Sequence, residues 1–167
     1  MTNAITYFDN FEGPNPYGFL SNFYDHPFKL GAIVYRTGEH AFQAYKAIDR
    51  TTHMAIRNQP SPAQAKAKGK RIKLRPDWET VKYDVMRQVL AAKFGARSEL
   101  AELLLATGDA MLIEGNTWND KVWGVNKDTM VGRNWLGHLL MARRAELRSG
   151  YHEPDRTHAM KLIRNGL

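Results

Sequence analysis

Four polar residues at helical spacing after Thr37 form the first group whose side chains could do chemistry. They stand at offsets of 0, 4, 7 and 11 along the chain: Glu39, Gln43, Lys46 and Arg50. At 3.6 residues per turn, these offsets place the side chains on one face of a helix. Most of the rest of the helix circumference is apolar, which favours a buried helix with its polar stripe on a wet cavity over a solvated stripe. A carboxylate there can act as a base or stabilise a cation, with its pKa set by the neighbouring lysine.

A second group lies in a loop of some twenty residues, from Glu114 to Arg133, which interleaves indole rings with amide and carboxylate groups. An indole can stack on a flat base, at roughly 1–3 kcal/mol per base, while Asn and Asp side chains bind base edges or sugar hydroxyls. The residues with suitable groups include Glu114, Trp118, Asp120, Trp123 and Asn126. Anchoring of the loop to the core is the alternative role of a tryptophan, and for Trp118 the two roles are equally favoured.

Asn22 is a third and weaker candidate. It sits between hydrophobic neighbours in the segment from Phe19 to Tyr24. A turn-forming asparagine and a ligand-binding amide both fit this pattern.

Several other kinds of chemistry are excluded by what the chain lacks. It has no cysteine, which rules out a disulfide scaffold, a thiolate zinc site and a cysteine nucleophile. Its six histidines are scattered, and none follows another by three or four positions, so we expect no metal site and no cofactor. The glycine-rich phosphate-binding motifs and the Gly-x-Ser-x-Gly nucleophile motif are also absent.

The net charge of +7 comes from one segment. Between Arg57 and Arg75 there is no acid, and the bases are Arg57, Lys66, Lys68, Lys70, Arg71, Lys73 and Arg75. The rest of the chain is balanced, with 17 residues of each sign. A local positive patch attracts phosphates on a nucleotide or a nucleic-acid backbone, and a solvated helix and loop is the alternative.

Caps and periodicity indicate the elements that must position these groups. Helices are predicted after Thr37, from Ser61-Pro62 to Gly69, from Asp77 to Phe94, from Ser98 to Gly108, and from Asn134 to Arg148. Short strands are predicted at Ile5 to Phe8, Ala32 to Arg36 and Met111 to Ile113. Without a βαβ rhythm, these elements predict an α+β fold, mostly helical with a small β-sheet.

The 167 residues are predicted to form one domain, because no repeat or linker divides them and only a polar tail follows from about Ser149. A composition of 43% hydrophobic and 25% charged residues is typical of a soluble globular protein. No apolar run approaches the roughly 20 residues that span a bilayer, so no membrane partner is expected. The N-terminus has no secretory signal, and together with the lack of cysteine this suits the cytoplasm.

In the segments that contain the candidate residues, the chain resembles the NADAR, or YbiA-like, family of N-glycosidases. Seven blocks match in the family's order, and they cover most of residues 18–144: Gly18 to Phe23, Thr37 to Lys46, Trp78 to Met86, Ala92 to Phe94, Leu104 to Asp109, Leu112 to Asn126 and Asn134 to Arg144. Each block is weak alone, and seven in order are a strong signal. In one departure, some relatives carry an acid directly after the Trp-Gly pair, where this chain has Val125.

The resemblance implies a single α+β domain that hydrolyses N-glycosidic bonds. Two substrate classes go with the family. One comprises phosphorylated ribosylamino-pyrimidine intermediates of riboflavin synthesis, and the other is ADP-ribose linked to guanine in DNA or RNA. The patch from Arg57 to Arg75 tilts the choice slightly toward a nucleic-acid partner. A non-catalytic module that binds ADP-ribose or a nucleotide is the further alternative.

The resemblance also implies roles for single residues. Glu39 would be the carboxylate that stabilises an oxocarbenium-like sugar or activates water, with Asp120 or Glu114 as its partner. Lys46 would neutralise phosphate or tune the pKa of Glu39. Trp123 would stack on the base or sugar, and the polar side chains expected to hold the substrate are Asn22, Gln43, Asn126 and Asn134.

Overall fold

A computed structural model of the protein describes residues 5–8 and 15–150. The described residues divide into two units: a helical unit, residues 25–93, and a sheet unit, residues 5–8, 15–24 and 94–150.

The helical unit combines a short β-hairpin with four helices. The hairpin pairs β2 (Phe28–Leu30) with β3 (Ile33–Tyr35) in antiparallel register. The helices are α1 (Gly38–Ala44), α2 (Arg50–Arg57), α3 (Pro62–Gly69) and α4 (Trp78–Lys93). Helix α1 packs against α2, α3 and α4. The buried face of α4 carries Val81, Val85 and Val89, as its sequence period predicts.

Side-chain caps fix where these helices begin. The Thr37 hydroxyl accepts from the backbone N–H of His40, and the Ser61 hydroxyl accepts from that of Gln64. Each bond satisfies one of the N–H groups that a helix start leaves unpaired. The predicted starts at Thr37 and at Ser61-Pro62 are therefore confirmed.

The predicted continuous helix from Thr37 to Arg50 is wrong, because α1 ends at Ala44 and α2 begins only at Arg50. Between them the backbone turns toward the segment before α4. The N–H of Arg75 donates to the Lys46 carbonyl at 2.9 Å, and Ala47 forms a β-bridge with Leu74. These bonds replace the continuing helical bonds. As a result Arg50 leaves the polar stripe.

The sheet unit holds a three-stranded parallel sheet and two helices. Strand β4 (Met111–Asn116) lies between β1 (Ile5–Phe8) and β5 (Val125–Asn126), and Ile5 pairs with Met111 and Gly115 with Val125. The helices are α5 (Glu99–Ala106) and α6 (Trp135–Ser149), and a 3₁₀ turn covers Gly18–Leu20. Helix α6 packs on β4, where Gly137 sits so close that an added Cβ would lie 2.1 Å from the Leu112 carbonyl oxygen.

Two sequence predictions in this unit need correction. The first three residues of the predicted loop, 114–116, belong to β4, because their backbone pairs with β1 and β5. On α5, Leu100 and Leu104 are buried as predicted, but Leu103, predicted to point inward, is 40% exposed.

The fold class is the predicted α+β, mostly helical, with two small sheets rather than one. No helix in the described ranges is long and apolar enough to cross a membrane. The single domain and the cytoplasmic location stay predictions. The predicted polar tail lies outside the described residues beyond Gly150.

Candidate active site

The carboxylate of Glu39 is held by the amide of Gln43 inside the helical unit. The two residues stand one turn apart on α1, and their relative exposures are 6% and 4%. The Nε2 group of Gln43 donates to Oε1 of Glu39 at 2.8 Å. A hydrogen bond to a charged acceptor is stronger than a neutral one. The bond therefore fixes the orientation of a carboxylate that burial has largely removed from water.

Gly69 of α3 lets the Gln43 amide take this position. A Cβ on Gly69 would lie 2.2 Å from Oε1 of Gln43, closer than two such atoms can approach. In the described part of the chain, Oε1 of Gln43 is buried and accepts no hydrogen bond. The amide is thus wedged between the Glu39 carboxylate and the backbone of α3.

Lys46 sits over two aromatic rings just after α1. Its Nζ atom is 5.5 Å from the ring centroid of Phe42 and 5.6 Å from that of Trp78. Burial lowers the pKa of Lys46, the nearby Glu39 carboxylate opposes this, and Lys66 adds to the lowering. Aromatic faces attract an ammonium group without neutralising its charge. The Lys46 charge therefore remains able to attract an anion.

His40 follows Glu39 directly but has a structural role. Its Nε2 atom is 3.0 Å from the carbonyl oxygen of Gln59, which can only accept, so the proton is on Nε2. Its Nδ1 atom then accepts from the Thr37 hydroxyl at 2.8 Å. Burial lowers the pKa of His40, which keeps the ring neutral. The ring ties the start of α1 to the segment between α2 and α3.

In the sheet unit, Asp120 organises the tryptophan loop, residues 117–124. Its Oδ1 atom accepts from the backbone N–H groups of Val122 and Trp123, both at 3.0 Å. Asn116, at the end of β4, accepts from the Asp120 N–H at 2.9 Å and donates to the Asp120 carbonyl at 2.8 Å. One carboxylate oxygen of Asp120 therefore caps the turn, while the other makes no hydrogen bond in the described part of the chain.

Asn134 connects β4 to the start of α6. Its Oδ1 atom accepts from the Glu114 N–H at 3.0 Å, and its Nδ2 group donates to the Leu112 carbonyl at 2.8 Å. Its backbone is left-handed, with φ of 50°, a conformation that asparagine tolerates well. These bonds assign Asn134 a positioning role in the structure, and binding of substrate by Asn134 stays a prediction.

The first N–H groups of α6 are also satisfied. The N–H groups of residues 133–136 donate to the carbonyl oxygens of residues 121–124 at 2.8–3.3 Å. The start of α6 thus holds the tryptophan loop in place. The N–H groups of Trp135 and Leu136 are therefore not available for an anion.

The other predicted residues of the sheet unit differ in exposure. Asn22 and Glu114 are buried, Trp123 is half-buried and Trp118 is 46% exposed. Asn126 accepts from the N–H groups of Asp128 and Thr129, each at 3.0 Å, and so builds the turn that follows β5.

The nine predicted site residues fall into two sets. Glu39, Gln43 and Lys46 lie together in the helical unit, and the sheet unit contains Asn22, Glu114, Asp120, Trp123, Asn126 and Asn134. That all nine residues take part in a single reaction stays a prediction. No group of three or more His, Asp or Glu side chains in the described ranges could hold a metal ion.

Sequence reasoning gave no role to Lys93, the last residue of α4. Its side chain is 1% exposed, and burial lowers its pKa to about 7. A lysine with such a pKa can exchange a proton near neutral pH. Because lysines are seldom buried, the residue type alone did not indicate that this side chain is buried. The matched block from Ala92 to Phe94 was the available hint.

Comparison with known proteins gives the class and the family. N-glycosidase YbiA of Shigella flexneri serotype 5b is 45% identical over 133 residues, which are 78% of this chain and 82% of that protein. The NMR structure of the Escherichia coli protein YbiA matches with a TM-score of 0.77 and 37% identity, over 92% of this chain and 93% of that one. The riboflavin biosynthesis protein VVA0006 of Vibrio vulnificus is 34% identical over 86% of this chain, but over only 39% of its own length.

These matches place the chain among the N-glycosidases, a class of hydrolytic enzymes. Within that class it belongs to the NADAR domain family, whose model matches residues 7–148. The resemblance found in the sequence motifs is thereby confirmed.

Proposed function

We propose that the chain hydrolyses the C1′–N bond of a phosphorylated ribosyl compound, such as a ribosylamino-pyrimidine phosphate of riboflavin synthesis. Water adds to C1′ as the C1′–N bond breaks, and the departing nitrogen takes up a proton. The products are a free amine and a ribose phosphate. The name of the Vibrio vulnificus relative supports this substrate class.

The observation that carries the proposal is the buried carboxylate of Glu39 in its bond to Gln43. Breaking a C1′–N bond leaves positive charge on the sugar, as in other glycoside hydrolyses. A fixed carboxylate in a poorly solvated place stabilises that charge without reorganising. It can also activate the attacking water as a general base.

Other groups have supporting roles in this proposal. Lys46 binds the substrate phosphate through its ammonium group, which lies over the rings of Phe42 and Trp78. Asp120 supplies a second carboxylate through its oxygen that does not cap the turn. Trp123 stacks on the base or sugar.

A second candidate is removal of an ADP-ribosyl group from guanine in DNA or RNA. The specific observation that favours it is the group of cations at the end of α3, with Lys66 and Lys68 in its last turn and Lys70 directly after it, because a nucleic-acid substrate offers many phosphates. The bond broken is again a C1′–N bond.

The test is to incubate the protein separately with a ribosylamino-pyrimidine phosphate and with an ADP-ribosylated-guanine oligonucleotide. Products are then separated by chromatography and identified by mass. Release of the free amine and ribose phosphate from the first substrate is the expected result. Faster cleavage of the oligonucleotide would select the second candidate. Tight calorimetric binding of either compound without any cleavage would contradict the proposed enzyme function.

A further inference from the structure

The guanidinium group of Arg57, at the end of α2, is held in place by two hydrogen bonds that leave one of its edges unused. Its Nε group donates to the Val34 carbonyl at 2.9 Å, and its Nη1 group donates to Oδ1 of Asn58 at 2.8 Å. Within residues 5–8 and 15–150, Arg57 forms no ion pair and its Nη2 group donates no hydrogen bond. The parallel N–H groups on such an edge can bind both oxygens of an anion. Arg57 therefore presents a fixed, uncompensated positive charge.

Arg57 lines a cavity of about 330 Å³ formed by the β2–β3 hairpin and the end of α2. This volume lies at the lower end of the range for small-molecule sites. None of the nine predicted site residues lines it. The six lining residues are Pro27, Val34, Arg36, Arg57, Asn58 and Gln59. The cavity is therefore a candidate site for a small ligand, in addition to the candidate active site.

The other cation of this cavity, Arg36, is already neutralised by an acid of the protein. Its Nε group is 3.0 Å from both carboxylate oxygens of Asp25, and its Nη2 group also donates to that carboxylate. Its Nη1 group donates to the Pro60 carbonyl at 2.8 Å. Among the lining residues, the charge of Arg57 is therefore the one that no acid of the described chain balances. A ligand with a single negative charge matches it.

The remaining walls of the cavity offer one more hydrogen-bond donor and an apolar surface. A guanidinium can only donate, so the Asn58 atom that accepts from Arg57 is Oδ1, and Nδ2 of this exposed side chain is left as a donor. Val34 is 47% exposed, although valine is usually buried, and Pro27 is exposed as well. A ligand that covers these two side chains removes apolar surface from water. The cavity thus combines a site for an anionic group with a surface for a short hydrocarbon chain.

We infer that this cavity binds a small carboxylic acid with a short apolar chain, in its ionised form. The carboxylate pairs with Arg57 and accepts from Nδ2 of Asn58, and the chain lies against Val34 and Pro27. Inorganic phosphate fits less well, because much of it carries a second negative charge at neutral pH and it has no group that covers the apolar walls. The inference does not depend on the proposed function, since this binding can be measured whether or not the protein cleaves either proposed substrate.

The test is an NMR titration of isotope-labelled protein near neutral pH with isovalerate, a branched carboxylate. Isovaleramide has the same hydrocarbon chain without the charge, and inorganic phosphate has charge without the chain. Of two variants, Arg57→Gln removes the positive charge, and Asn58→Asp keeps the guanidinium but gives it a carboxylate of the protein. Asn119→Asp is the matched control for the second variant, because Asn119 is an exposed asparagine in the sheet unit. The dispersion of the amide spectra shows that each variant folds.

Isovalerate should shift the signals of the Val34 methyl groups and the Asn58 side-chain amide saturably, both in the parent and in Asn119→Asp. Its affinity should fall about tenfold or more in Arg57→Gln and Asn58→Asp, as expected when a hydrogen bond between charged groups is lost. Isovaleramide and phosphate should both bind the parent more weakly than isovalerate does. Parental affinity in Asn58→Asp, equal binding of isovaleramide, tighter binding of phosphate, or no saturable shift with isovalerate would each overturn the inference.

Discussion

At the scale of single residues, the structure turns sequence spacing into definite bonds. The spacing of Glu39 and Gln43 predicted a shared helix face, and the structure adds a 2.8 Å bond between carboxylate and amide. Arg50 had the same periodicity, yet it belongs to another helix. The polar stripe ends where the N–H of Arg75 donates to the Lys46 carbonyl. The spacing of residues 39–50 could not predict this bond, because Arg75 lies far along the chain.

Asp120 both builds its loop and stands as a proposed catalytic group, and two substitutions separate these roles. Asp120→Asn keeps an oxygen that can accept from Val122 and Trp123, so stability should stay within about 0.5 kcal/mol of the parent. Its turnover should fall by about 10² if the free carboxylate oxygen takes part in the reaction. Asp120→Ala should also lose roughly 1 kcal/mol or more, as a lost cap does. Chemical denaturation and initial rates measure the two effects. Parental turnover by Asp120→Asn would restrict Asp120 to the structural role.

At the scale of elements, the helix starts followed from the sequence because their causes are local. A Ser or Thr side chain reaches an N–H three residues away, so the pattern itself contains the interaction. The extension of β4 over residues 114–116 did not follow from the sequence, because it depends on pairing with two other segments of the chain, β1 and β5.

The contact between α1 and α3 at Gly69 gives a prediction about positioning. Gly69→Ala would push a methyl group onto the Gln43 amide, so it should cost about 1–3 kcal/mol in stability and lower turnover as Glu39 loses its fixed orientation. Gly18→Ala is the matched control, since a Cβ there meets no atom within 4 Å. Melting curves and initial rates would be compared for both. If Gly69→Ala kept the parental stability and turnover, the contact between Gly69 and the Gln43 amide would not be what orients Glu39.

The link between β4 and α6 gives another prediction. Asn134→Asp loses the donation to the Leu112 carbonyl and places a carboxylate against it, which should cost about 1–3 kcal/mol. Asn119→Asp is the control, because Asn119 is exposed and has a similar positive φ of 63°. The free energies of unfolding are measured in urea. Equal values for the two variants would mean that the amide of Asn134 does not hold the elements together.

At the scale of the whole molecule, stability should depend on pH through His53. Its ring is 1% exposed and hydrogen-bonded to the Tyr35 hydroxyl at 2.6 Å, and burial lowers its pKa to about 4. The unfolded chain binds a proton on His53 below its ordinary pKa of 6.5, whereas the folded chain resists protonation down to about 4. The neutral His53 ring therefore contributes about 3 kcal/mol to the free energy of unfolding. This contribution is complete above pH 6.5 and is lost as the pH falls toward 4.

Denaturation in urea across this pH range checks the dependence. His53→Phe should flatten the dependence of stability on pH. The control His26→Gln changes a histidine that does not contact Tyr35 or His53, and it should leave the dependence as steep as in the parent. A parental slope in His53→Phe would assign the acid sensitivity to other groups.

The central claim is that the Glu39 carboxylate drives cleavage of the C1′–N bond. The most direct measurement is the single-turnover rate of Glu39→Gln on whichever proposed substrate the parent cleaves, beside Glu102→Gln, an exposed glutamate on α5. The glutamine keeps size and polarity but not charge. We predict a rate lower by about 10²–10⁴ with substrate affinity retained, and parental rates for Glu102→Gln. Cleavage by Glu39→Gln at the parental rate would contradict the claim.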